Sequence, residues 1–135
     1  MGPLLFVLFI NDLPDTLLTD IHVALYADDT KVYNSVKSYD DAQHLQQALF
    51  SLDNWGTRNN LKFNESKCKV LYITRNKHPI CFNYKLGSTE LFKVNEEKNL
   101  GVIVTDTQSW NPHIQNIVSK ANKLLGLLKR TCPLL

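Results

Sequence analysis

The sequence predicts an α+β fold, an antiparallel sheet with helices packed on one face. Three observations predict it. Residues 21–34 and 81–94 each read as two short segments around a tight turn, the pattern of a β-hairpin. Apolar residues recur at helical spacing through 42–55 and again through 114–128. The order is helix, hairpin, helix, strand, hairpin, strand, helix, and hairpins followed by helices on one side argue an antiparallel sheet.

Each element has its own reason. Pro3-Leu4-Leu5-Phe6-Val7-Leu8-Phe9-Ile10 is an unbroken apolar run. Residues 3–12 are apolar all round, which predicts a helix buried in a core. Pro3 suits its first turn and Pro14 its end. Ile21-His22-Val23-Ala24-Leu25-Tyr26 alternates, Asp28-Asp29 turns the chain, and Thr30-Lys31-Val32-Tyr33-Asn34 alternates again. Ser38 caps a helix whose Asp40 and Asp41 sit in its positive first turn. Its stripe is Ala42, Leu45, Leu49, Leu52 and Trp55, and it fades near Gly56 or Asn59-Asn60. Residues 70–74 read as a strand. Residues 81–85 and 90–94 flank Gly87-Ser88 as a second hairpin. Residues 100–104 read as a strand containing Gly101. A last helix starts near Pro112, with Ile114, Ile117, Val118, Ala121, Leu124, Leu125 and Leu128 on one stripe.

Composition sets limits. A chain of 135 residues allows one domain with a real core. Hydrophobic content of 44% with 21% charged residues excludes a wholly disordered chain. Cys68, Cys81 and Cys132 are odd in number and unpaired in spacing, which excludes a disulfide scaffold or a Cys-rich zinc module. The histidines (22, 44, 78, 113) form no i, i+4 pair, so a His-metal helix is not expected. The apolar opening is far shorter than the roughly 20 residues of a membrane span. No basic residue precedes it, as a signal peptide requires. These features predict an intracellular protein with reduced thiols, not secreted and without a membrane partner. The Asn64-Glu65-Ser66 sequon then reads as coincidence. The net charge of +2 hides an asymmetry: residues 1–53 hold eight acids and two lysines, residues 54–135 thirteen bases and five acids. An acidic centre beside a basic surface is one reading, chance clustering of solvated charge the other.

The informative motif is Tyr26-Ala27-Asp28-Asp29. Two adjacent carboxylates at a hairpin tip can be plain turn formers. They can also hold a hard cation, since Mg²⁺ takes one or two carboxylates and completes its shell with phosphates and water. The tetrapeptide in a hairpin resembles the catalytic hairpin of reverse transcriptases. Residues Gly2 to Pro14 resemble the Gly-Pro-Leu-rich helix that precedes this hairpin in non-LTR (LINE-type, jockey-like) retrotransposon enzymes. Residues Leu61 to Cys68 are similar to their Asn-x-x-Lys-Cys element, and Asn99-Leu100-Gly101-Val102 resembles their primer-grip element. Residues 109–114 and the Lys-rich helix after them look like the start of the thumb. The resemblance covers essentially the whole chain.

It implies a polymerase palm in residues 1–95 with the catalytic hairpin at 21–34, a primer-grip region at 96–110, and the start of a thumb helix at 111–135. Asp28 and Asp29 would be the catalytic, metal-binding carboxylates, with Mg²⁺ or Mn²⁺ as cofactor. Lys67 would stand near the leaving pyrophosphate; as a residue it could equally be a solvated surface lysine. Tyr26 would lie near the primer terminus, or simply pack in a core. Leu100 and Gly101 would present backbone to the primer, a Gly inside a strand permitting close approach. Lys120, Lys123, Lys129 and Arg130 would face nucleic-acid phosphates, or form the solvated side of an amphipathic helix. The partners implied are an RNA template, a DNA primer, deoxynucleotides and the rest of a parent polyprotein.

The sequence departs from the family pattern. The family's other catalytic Asp and its fingers lie upstream of the Gly-Pro helix, so this chain alone is expected to be inactive. A palm sheet without that strand would expose an edge and an apolar helix face. The alternatives are a retained, non-catalytic RNA- or DNA-binding remnant, and an α+β domain that binds a protein partner.

Overall fold

The computed structural model describes residues 2–17 and 20–132. In chain order the elements are α1 (Gly2–Phe9), β1 (His22–Tyr26), β2 (Asp29–Tyr33), α2 (Tyr39–Arg58), β3 (Lys69–Leu71), β4 (Lys85–Leu86), β5 (Thr89–Glu90), β6 (Phe92–Val94), β7 (Glu96–Asn99), β8 (Val102–Thr105) and α3 (Asn111–Thr131). Single 3-10 turns lie at Pro14–Thr16 and Glu65–Lys67. The class is α+β. Two compact units form: residues up to Cys68 with His78–Phe92, and Lys69–Lys77 with the residues from Lys93 onward.

In the first unit, Ile10, Leu13, Leu52 and Trp55 make the buried core. Val23, Leu25 and Val32 pack one face of the β1–β2 hairpin against it. Burying a side chain such as Leu52 is worth about 2 kcal/mol. The Trp55 indole N–H donates to Asp12 Oδ1 at 3.2 Å, so its polar edge is satisfied.

Both ends of α2 are closed by local hydrogen bonds, from side chains at the start and from the backbone at the end. At its start the Asp41 N–H donates to Ser38 Oγ at 3.1 Å, and Asp41 Oδ2 accepts the Ser38 N–H at 2.8 Å. This is a reciprocal capping box. The same oxygen accepts the Lys37 N–H at 2.9 Å. These bonds, the Lys37 one foremost, hold the Asp41 carboxyl below the usual carboxylate range. At the other end Asn60 is left-handed, with φ +53°. The Leu61 N–H bonds to Gly56 O at 2.9 Å and the Asn60 N–H to Thr57 O at 3.4 Å, a Schellman motif with Asn in the glycine position. A Cβ at Gly56 would lie 2.6 Å from Leu61 O, so a glycine is needed where the chain folds back. The β4–β5 hairpin is tied to α2 by Gln46. Its Oε1 accepts the Lys85 N–H at 2.8 Å and its Nε2 donates to Lys85 O at 2.9 Å. Tyr84 and Leu86 are buried.

In the second unit β3 pairs with β6, and β7 pairs antiparallel with β8 in the register Asn99↔Val102 to Glu96↔Thr105. The Asp106 N–H continues the ladder to Asn95 O at 2.8 Å. Pro112 opens α3, where its missing N–H is harmless. The buried Thr105 Oγ1 accepts the Ser109 N–H at 2.8 Å and bridges β8 to the approach to α3.

Several expectations are corrected. The expected single sheet is four two-stranded pieces among the described residues. The strands are short, and each pairing is closed off by a turn or loop before a third strand joins. The opening helix is mostly exposed: Leu4, Leu5 and Leu8 are 60–67% exposed, Phe6 alone of the helix packs half-buried against the core, and Ile10 and Leu13, just after the helix, enter it. Its apolar residues outnumber the neighbours that cover them, which are the core cluster under Phe6 and the Trp55 ring beside Phe9. The strand at 70–74 is Lys69–Leu71. The hairpin at Gly87-Ser88 keeps two residues on each side, and 92–94 pairs with β3 instead of with 81–85. Gly101 does not lie inside a strand. With Leu100 it forms the two-residue turn between β7 and β8, both at positive φ (+46° and +89°), the pattern of a type I′ turn. A Cβ at Gly101 would meet nothing within 4 Å, so its φ, not crowding, calls for glycine. The polar strand β7 was not foreseen. The α3 stripe is exposed, from Ile114 at 52% to Leu128 at 45%.

Candidate functional site

The β1–β2 hairpin alternates strictly in burial. Its inner face packs on the core, so the outer face, carrying Tyr26, Lys31 and Tyr33, is exposed. Tyr26 pairs with Asp29 across a two-residue turn of Ala27 and Asp28. Ala27 takes φ +52°, a conformation that favours glycine and is strained for alanine by about 1–2 kcal/mol. Asp28 thus sits on the tip itself, and Asp29 is the first residue of the returning strand. Both are exposed. Tyr26 is 64% exposed, not packed in the core. Farther from the tip His22 stacks on Tyr33 with ring centroids 5.3 Å apart.

The two carboxylates offer hard oxygen donors. Among the described residues no group of three or more His, Cys, Asp and Glu could hold an ion by itself. Two carboxylates could hold a hard divalent cation only as part of a shell that phosphates, water or a further carboxylate complete.

Lys67 lies in the same unit, exposed, on the Glu65–Lys67 turn. That turn is held from two sides. Upstream stands the Schellman turn at Asn60. Downstream, the Thr89 hydroxyl donates to Glu65 Oε2 from the β4–β5 hairpin. Cys68, half-buried, points its thiol at Asn64 O, 3.3 Å away. Burial, and then the Glu65 charge, push this thiol above its ordinary range. The anchors Gln46, Glu65 and Thr89 escaped sequence reasoning, because no local pattern joins residues this far apart in the chain. Asn59-Asn60 after a helical stripe was the one legible signal for the turn.

In the second unit Leu100 and Gly101 stand at the hairpin tip, Leu100 60% exposed. On α3 the basic residues are exposed. At about 100° per residue, Lys120 and Lys129 flank the apolar stripe on its two sides, and Lys123 and Arg130 lie behind it. The helix has no acidic residue. No helix among the described residues is long and apolar enough to cross a membrane.

Comparison with known proteins follows the same lines. The reverse transcriptase (RNA-dependent DNA polymerase) family matches residues 1–104. The RNA-directed DNA polymerase from mobile element jockey of Drosophila melanogaster is 30% identical over 124 residues, 87% of this chain and 13% of that protein. Its namesake in Drosophila funebris is 27% identical over 93% of this chain and 15% of that protein. The probable RNA-directed DNA polymerase from transposon X-element of Drosophila melanogaster is 27% identical over 87% of this chain. The chain thus spans about one seventh of the curated relatives it matches (13–15%). No solved structure matches it at comparable significance.

Proposed function

This chain belongs to the reverse transcriptase (RNA-dependent DNA polymerase) family, and from that premise we propose that it supplies part of the palm and the start of the thumb of a non-LTR retrotransposon's RNA-directed DNA polymerase. In this reading residues 1–95 are palm, 96–110 primer grip and 111–135 thumb. The observation that carries it is the turn at Ala27–Asp28, which presents Asp28 and Asp29 to solvent at the end of a hairpin whose other face is anchored in the core.

Asp28 and Asp29 act as oxygen donors for Mg²⁺ or Mn²⁺. Such ions, when bound, supply Lewis-acid activation of the primer hydroxyl and neutralise charge on the transferred phosphate. Tyr26, beside the turn, flanks the primer terminus. Lys67 places a cation for the leaving pyrophosphate. The Leu100–Gly101 tip offers backbone to the primer strand. Lys120, Lys123, Lys129 and Arg130 meet the phosphates of an RNA–DNA duplex, each contact adding a salt-sensitive increment. The ligand set needs a further carboxylate, which we assign to the parent protein outside these 135 residues, acting inside the cell. The chain by itself therefore does not extend a primer.

The test uses the chain itself. Mn²⁺ is expected to broaden the backbone NMR signals of Ala27 to Asp29, and Asp28→Asn is expected to abolish that broadening. Broadening that ignores the substitution would overturn the assignment. The acid-free α3 favours one second reading, a nucleic-acid-binding remnant. There, RNA affinity would depend on Lys120 and Lys123, and Mn²⁺ would leave the hairpin signals untouched.

A further inference from the structure

The β7–β8 turn has two residues, so Asn99 and Val102 are its hydrogen-bonded pair. Antiparallel alternation then makes Lys98↔Ile103 a pair without ladder bonds and turns the Ile103 N–H outward. The Asp106 N–H bond to Asn95 O follows the same alternation. An outward N–H on a strand edge needs a partner. The Ile103 N–H finds it in His113 Nδ1, 3.3 Å away, in the first turn of α3.

We propose that His113 is a proton-operated latch between α3 and the β7–β8 hairpin: neutral, it holds the open edge of β8, and protonated, it lets go. The chemistry follows from the acceptor. Neutral imidazole with its proton on Nε2 offers a lone pair at Nδ1, whereas imidazolium has two donors and no acceptor. Protonation therefore removes the acceptor and sets one N–H against another. The first turn of α3 is the positive end of the helix and contains no acid. Strand β8 carries no titratable residue, and β7 sets Glu96, Glu97 and Lys98 opposite Thr105, Val104 and Ile103, with Glu97 paired to Lys69. The one acid between Val102 and His113 is Asp106. The Trp110 ring, 6.2 Å from the His113 ring between centroids, is uncharged. The Thr105–Ser109 bonds hold the intervening loop at any pH, so release frees the start of the helix and not the whole connection.

The experiment is amide hydrogen exchange at Ile103 in the 135-residue chain, corrected for intrinsic rates. It is done at about pH 7.5 and about pH 5, on either side of the range in which an imidazole changes charge. The ring NMR signals of His113 report its state. Wild type is expected to lose Ile103 protection about tenfold in acid, the size of one hydrogen bond. His113→Asn keeps an acceptor near the Nδ1 position and cannot become charged, so it should stay protected at both pH values. His113→Phe should be unprotected at both. Wild-type protection that does not change while the ring takes up its proton would overturn the proposal. So would an equal acid loss in His113→Asn. The wild-type comparison decides even if a variant fails to fold.

Discussion

Gly56 in α2 and Gly126 in α3 make opposite predictions for one substitution. In an open helix Gly→Ala stabilises by about 1 kcal/mol. Gly126 meets this condition, since a Cβ there would find nothing within 4 Å. At Gly56 the Cβ would sit 2.6 Å from Leu61 O and 3.0 Å from the Phe63 ring. Leu61 O belongs to the backbone, so relief means moving the chain by roughly half an ångström, well inside the range at which packed interiors respond. That shift stretches the 2.9 Å bond from the Leu61 N–H to Gly56 O. Overpacking costs about 1–3 kcal/mol and a lost capping bond about 1 kcal/mol, against a propensity gain of about 1 kcal/mol. Gly56→Ala should therefore destabilise by about 1–3 kcal/mol, and Gly126→Ala should stabilise by up to about 1 kcal/mol. Urea unfolding followed by Trp55 fluorescence in a Trp110→Phe background measures the first, and helical circular dichroism the second. A Gly56→Ala chain as stable as its parent would refute the close approach. It would also remove the reason given for where the Leu61–Cys68 segment lies.

Three further outcomes are expected. Because the Asp41 carboxyl is held low, the α2 cap stabilises above the usual carboxylate range and weakens as pH falls into and below it; Asp41→Asn should flatten that acid limb in pH-dependent unfolding, and an unchanged limb would show that the capping box carries no linkage. The Cys68 thiol is held high, so the unfolded chain ionises first and stability should drop as pH rises through the ordinary thiol range; in the pH profile of its reaction with Ellman's reagent, Glu65→Gln should move the inflection downward, and an unmoved inflection would mean the Glu65 charge does not reach it. Gln46→Ala removes two bonds to Lys85 and should cost about 1–3 kcal/mol, with faster exchange at the Lys85 amide; unchanged exchange there would mean that β4 holds its place without Gln46.

What the sequence revealed was what local pattern encodes. Alternation from Ile21 to Asn34 located the acidic hairpin to within a residue, and Ser38 with its apolar stripe located α2. Pro112 marked the start of α3. Strand β7, Glu96-Glu97-Lys98-Asn99, has no apolar alternation; it exists because β8 pairs with it across a turn set by two positive φ angles. The apolar run at 3–10 announced burial, yet burial depends on a neighbour, which no periodicity within the run can name. At the site, adjacent carboxylates in a hairpin can be plain turn formers, and it was the resemblance of Tyr26-Ala27-Asp28-Asp29 to a catalytic hairpin that singled out Asp28 and Asp29. The Gln46–Lys85 and Glu65–Thr89 ties were not, since they join residues 39 and 24 positions apart. The outward Ile103 amide becomes visible only once the register is known.

The central claim is that Asp28 serves RNA-templated DNA synthesis, and the direct measurement is primer extension in a complete enzyme. This chain would replace the matched 124-residue segment of the Drosophila melanogaster jockey polymerase, assayed on an RNA template with Mg²⁺ and four deoxynucleotides. Extension by the graft, falling by about three or more orders of magnitude with Asp28→Asn, is the predicted result, the scale of losing a member of a catalytic unit. Extension that survives Asp28→Asn undiminished would contradict the account.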